Sequence, residues 1–170
     1  MKTRVILTLC VVFVLGFASH ASAQVTLVAG SAEDKAFTAC QSEQNIDNKI
    51  TRCLDFEKQF PNSKALGEAY VAMMEAYGQK NEKAKIDEFG EKALKLDPEN
   101  ISALMLVSRN YGMEKKNLEK AVTHAQTAVT VLAKKKGEPR YQEDAAWKQY
   151  LDSTEQAAKA NLQWIKSLKP

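Results

Sequence analysis

After its first 23 residues the chain has a single histidine, His124, because His20 lies in the opening stretch. One imidazole rules out a histidine-based metal cluster. No glycine-rich run is present that could cradle a phosphate, and no segment alternates apolar and polar residues in the two-residue rhythm of a strand. No long apolar run follows the one at the N-terminus, so nothing after it reads as a membrane span. Cysteine is sparse, three in 170 residues, and no pair is spaced C-x-x-C, which argues against redox catalysis. Carboxylates are plentiful, but Asp87, Glu88 and Glu91 are what a solvated helix face carries. Paired-acid catalysis needs two carboxylates converging in a pocket, and nothing in the spacing points to that. Ser108 stands at a packing position with no visible base. The reading is a protein without enzymatic activity, cofactor or metal.

What is present begins with Met1, Lys2, Thr3 and Arg4, then an uncharged, largely apolar run from Val5 to Phe17 and the small residues Ala21, Ser22 and Ala23. A basic start, a short apolar stretch and an A-x-A pattern before Gln24 predict a secretory leader over residues 1–23. Cys10 lies inside the apolar run, not after it, so a lipid-anchored cysteine is not expected. Removing 23 of 170 residues leaves 147, and with Lys2 and Arg4 gone the formal charge falls from +3 to about +1. Such a balance gives no argument for nucleic acid or an anionic membrane. The remaining length suits one domain with a real core.

Cys40 and Cys53 then remain. In an oxidising compartment such a pair is a disulfide candidate, which would staple the first two helices together by about 2–4 kcal/mol. Two buried free thiols and a redox pair are the alternatives, the last disfavoured by the spacing.

Residues 24–31 read as a flexible lead-in and 32–170 as one helical domain. Helical spacing predicts helices over Ala32–Glu43, over Asn48–Phe60 with Asp47 as N-cap, and over Ala65–Gly78. Further helices are expected over Ala84–Leu96 with Asn81 as a candidate cap, over Ile101–Met113 and over Leu118–Leu132. Glu143–Leu168 reads as one long helix or two joined ones. Leu54 is placed in the apolar stripe of the second helix and Leu96 inward on the fourth. Lys134, Lys135 and Lys136 are read as part of a loop. The fold class is all-α, about seven antiparallel helices with short connections.

Met74 and Tyr77 recur as Ser108 and Tyr111, 34 residues later. Around them, Tyr70, Met73, Ala93, Leu94 and the Asp97-Pro98 turn make one unit. Leu104, Val107, Ala121, Ala125 and Ala128 make the next. Segments 67–100 and 101–132 on these residues resemble the tetratricopeptide repeat family. A looser unit precedes them through Ala36, Phe37, Cys40, Cys53, Phe56 and Phe60-Pro61. The second unit has one extra residue in its turn and lacks the closing proline, and Gly90 stands where the family usually has an aromatic. Phe60-Pro61-Asn62-Ser63 before an alanine-rich helix also resembles exported bacterial repeat proteins.

The resemblance implies helix-turn-helix pairs stacked as a short right-handed solenoid, with the last helix as a cap. It implies an inner face lined by Glu68, Val71, Glu75 and Gln79, then Ser102, Met105, Arg109 and Met113. Such a groove takes an extended peptide or a partner helix. The family's carboxylate clamp is matched here by Arg109 alone, so a mixed apolar and charged peptide is the expected occupant. Trp147 and Trp164 are read as packing the terminal helix on the last repeat, with an exposed aromatic anchor as the alternative. The functional expectation is an interaction module in a bacterial periplasm, binding a protein or peptide partner. A homo-oligomer pairing through terminal helices is the second reading, and an envelope enzyme the third.

Overall fold

The computed structural model describes residues 27–169. The expected leader, with Cys10, lies outside the described residues, as do Gln24 to Thr26 of the lead-in. Among the described residues there are eight helices and no strand. They are α1 (Ala32–Ser42), α2 (Ile46–Gln59), α3 (Leu66–Gln79), α4 (Lys83–Leu96), α5 (Ile101–Glu114), α6 (Leu118–Lys136), the single turn α7 (Arg140–Glu143) and α8 (Ala145–Ser167). Among the described residues no helix is long and apolar enough to cross a membrane.

Side-chain caps set several of the helix starts. Ser31, Asn45, Asn100 and Asp144 each accept a hydrogen bond from the backbone N–H three residues on, satisfying donors the helix leaves unpaired. Asn45 takes the role expected of Asp47, so α2 starts two residues earlier. Asp47 instead sits in the first turn and pairs with Lys80 at 2.7 Å. Asn81 is not a side-chain cap either. It has a left-handed backbone, φ 56°, that turns the chain between α3 and α4. The lysine run belongs to the last turn of α6, where positive charge complements the helix end.

Short connections fold each helix back on its predecessor from α1 to α6, and α8 packs on α6. A second row of contacts runs α1 with α3, α3 with α5, and α5 with α8. One detail repeats with the spacing of the sequence. Tyr77 of α3 stacks on Phe89 of α4 at 5.4 Å, and Tyr111 of α5 stacks on His124 of α6 at 6.5 Å. The lysine–carboxylate ties repeat too. Lys80 reaches Asp47 near the start of α2, Lys116 reaches Asp87 of α4, and Lys169 reaches Glu119 of α6.

Gly90 explains its own departure from the expected aromatic. A Cβ there would stand 2.2 Å from Val107 Cγ2 and 3.0 Å from Met74 Sδ. The side chains of α3 and α5 press directly on the α4 backbone, and only glycine leaves room. Cys40 and Cys53 are bonded and fully buried, joining α1 to α2 across 13 residues. That bond and the Phe37–Phe56 contact, 5.4 Å between rings, fix the rotation of α2. Leu54, one residue past Cys53, is thereby turned outward and is 40% exposed, against the expected inward position. Leu96 is also turned out, 55% exposed, because it is the last residue of α4 and lies beyond the packed stripe, beside Gly67.

Candidate functional site

Helices α3, α5 and α8 leave a groove between them. Its main part has a volume of about 820 Å³ and is bordered by Glu75 of α3, Met105, Arg109 and Met113 of α5, and Thr154, Ala157 and Trp164 of α8. A second part of about 380 Å³ continues it, with Glu75, Ile101, Ser102 and Tyr150 common to both. Glu68, Val71, Asp97, Glu99, Lys135 and Trp147 border that second part.

Seven of the eight residues expected on this surface thus border one continuous groove: Glu68, Val71, Glu75, Ser102, Met105, Arg109 and Met113. Gln79 does not. In the main part α3 contributes Glu75 alone, so the far end is walled by α5 and α8, and Gln79 is exposed beyond it.

The wall supplied by α8 was not anticipated. Trp147, Tyr150, Thr154, Ala157, Asn161 and Trp164 follow one another by alternating steps of three and four, a single face of a helix. A second stripe, Leu151, Ala158, Leu162 and Ile165, is buried. Reading Trp147 and Trp164 mainly as packing residues left the groove stripe unrecognised, although its spacing is in the sequence.

Two contacts fix this wall in place. Asn161 donates from Nδ2 to Ser108 Oγ at 2.9 Å, and the Ser108 hydroxyl donates to the Met105 carbonyl at 3.1 Å. The Trp164 ring lies over Gly112, where a Cβ would come within 2.7 Å of it. Trp164 is nevertheless 38% exposed and neighbouring Met113 52%, so this end of the groove presents an aromatic and a thioether to solvent. Trp147 meets the packing expectation: it is buried, stacks on Tyr150 at 5.3 Å and lies under Arg140 at 4.6 Å. Its indole N–H finds no acceptor among the described residues.

The charges are not spread evenly. Glu68, Asp97 and Glu99 gather at the end where α3, α5 and α8 begin, Glu75 stands where the two parts of the groove meet, and Lys135 borders the same part. Glu99 is paired with Lys134 at 3.0 Å, and Asp97 accepts from the Glu99 backbone N–H at 3.1 Å. Arg109 stands further along α5 and makes no ion pair or hydrogen bond among the described residues. Burial pushes the Tyr150 hydroxyl above its ordinary pKa, the Glu75 charge adds to this, and a hydrogen bond with Thr154 works against it.

The opposite side of the stack is different. Glu91 accepts from the Tyr111 hydroxyl at 2.8 Å, pairs with Lys120 at 2.7 Å and lies 3.2 Å from His124 Nε2. Burial raises the Glu91 carboxyl, but these hydrogen bonds outweigh it and hold the group below the usual carboxylate range. Glu57 likewise takes the Tyr70 hydroxyl at 2.8 Å and Lys92 at 3.1 Å. Burial and that bond to Glu57 push Tyr70 up to about 12. His124 therefore sits at an interhelix edge, as expected. Among the described residues no group of three or more histidine, cysteine, aspartate or glutamate side chains is placed to hold a metal ion.

No family model matches the chain, and no curated protein matches it.

Proposed function

We propose that this chain is a non-enzymatic interaction module of the tetratricopeptide type, exported to a bacterial periplasm, which holds a peptide or a partner helix in the groove between α3, α5 and α8. The observation that carries this reading is the groove itself: about 820 Å³, open along its length, with Met105, Leu106, Met113 and Trp164 among its borders. Concave, largely apolar surfaces with a few polar groups are where ligands are bound. Methionine and tryptophan suit such a surface, the first by adapting its shape and the second by offering a large rigid face.

The stacking of odd helices on odd helices and the recurrence of the Tyr77–Phe89 pair as Tyr111–His124 support the repeat reading. The bond between Cys40 and Cys53 supports an oxidising destination. Ala157 gives a clean test because it borders the groove and is exposed, so a larger side chain there fills the groove without entering the core. A partner retained by the chain and lost by Ala157→Trp, with an unchanged melting temperature, is the expected result. Retention by both proteins overturns the groove assignment.

A further inference from the structure

We infer that the occupant of this groove is a basic amphipathic peptide segment, bound with its lysine or arginine side chains at the Glu68 end and its apolar side chains toward Trp164. This rests on the peptide-groove reading above and adds the partner's chemistry and its orientation.

The charge distribution carries the inference. Four carboxylates border the part of the groove at the Glu68 end against one bordering lysine, Lys135, and of the four Glu99 is taken up by Lys134. The starts of α5 and α8 bring partial positive charge there, but the Asn100 and Asp144 side chains already occupy those donors. The Glu68 carboxylate makes no ion pair among the described residues. At the other end Arg109 is the charged side chain, and it repels a cation placed over it. Between the two lie Met105, Leu106 and Ala157, a surface with no charge to match. A peptide with one basic end and one apolar end fits both halves in a single direction, whereas an acidic peptide meets repulsion at the Glu68 end.

The length of the surface sets the register. From Ser102 to Met113 α5 advances eleven residues, about 16 Å. A helical ligand covers that distance in about eleven residues and an extended one in about five. The basic and apolar groups of the segment are separated accordingly.

The test uses three fluorescein-labelled synthetic peptides of about twelve residues. They share one leucine–alanine pattern and carry two lysines, two glutamines or two glutamates at one end, with the reversed order of each as a companion. Anisotropy is read with the full chain at low and at physiological salt. The lysine peptide in one order is expected to bind tightest and to weaken as salt rises. Glu68→Lys is expected to weaken it about fivefold, and Arg109→Glu to strengthen it about twofold at low salt. The gain matters most, because damage to the fold cannot produce it. Equal binding of all three peptides, still lost in Ala157→Trp, overturns the inference and leaves the groove reading standing. Tighter binding of the glutamate peptide overturns it in the same way. Binding of none, or binding indifferent to Ala157→Trp, overturns both.

Discussion

The two faces of α5 have the same neighbours in sequence and opposite fates. On one, Leu104, Val107 and Tyr111 are buried, and the polar groups among them are spent. The Tyr111 hydroxyl reaches Glu91, and Asn110 donates to the Lys83 carbonyl at 3.0 Å and to Asp87 at 2.6 Å. On the other, Met105, Arg109 and Met113 face a groove, and the guanidinium has no partner among the described residues. Both faces carry large side chains, so hydrophobicity does not separate them. What separates them is chemistry left unused: the packed face has satisfied its groups, and the groove face holds them open. Substitutions should therefore divide, with stability moved from the first face and binding from the second.

The largest effect is expected from Leu104→Ala on the packed face. It empties a fully enclosed site and should cost about 2–5 kcal/mol in urea unfolding. The folded fraction should still bind as the parent does; a binding loss beyond that fraction breaks the separation. Next comes the covalent tie at the N-terminal end. The Cys40→Ala, Cys53→Ala double variant should lose about 2–4 kcal/mol, since the bond closes a loop across 13 residues. Its groove, bordered from α3 onward with Gln41 as the one α1 residue, should persist.

Gly90→Ala should cost about 1–3 kcal/mol by overpacking, because the new methyl meets Val107 and Met74. A smaller effect concerns acid. The folded Glu91 carboxyl is depressed, so the native state binds that proton less tightly than the unfolded chain does. Its contribution is present above the ordinary carboxylate range and is lost as pH falls through that range toward the folded value. Glu91→Gln should flatten the melting temperature against pH there, while an unaltered slope would assign the acid sensitivity elsewhere. Smallest is Met113→Ala on the groove face, within about 0.5 kcal/mol in stability because the side chain is half exposed. A larger loss would show that the groove face also holds the fold.

Much of this division could be read from the sequence. The 34-residue recurrence placed Tyr77 and Tyr111 at equivalent positions, and the resemblance to the repeat family then implied a surface with Glu68, Val71, Glu75, Ser102, Met105, Arg109 and Met113. Local patterns sufficed because α3 and α5 are each set by their own stripe. The third wall escaped because α8 has no repeat partner to compare with, and its two stripes overlap at Trp147, which is both buried and at the groove border. Gln79 was misplaced because the family pattern carries the inner face along the whole first helix, while the reach of the facing helix decides where a groove stops. Gly90 shows another limit. A glycine in a helix reads as a weakness until the side chains of two other helices are seen resting on it.

The central claim, that the groove face is a binding surface independent of the packed face, is tested most directly by one paired measurement. The tightest-binding of the labelled peptides is titrated into the parent chain and into Ala157→Trp, with thermal melts of both recorded in the same buffer. The account predicts at least about a tenfold loss of affinity, near 1.4 kcal/mol, with coincident melting curves. Equal affinity with coincident melts would contradict it.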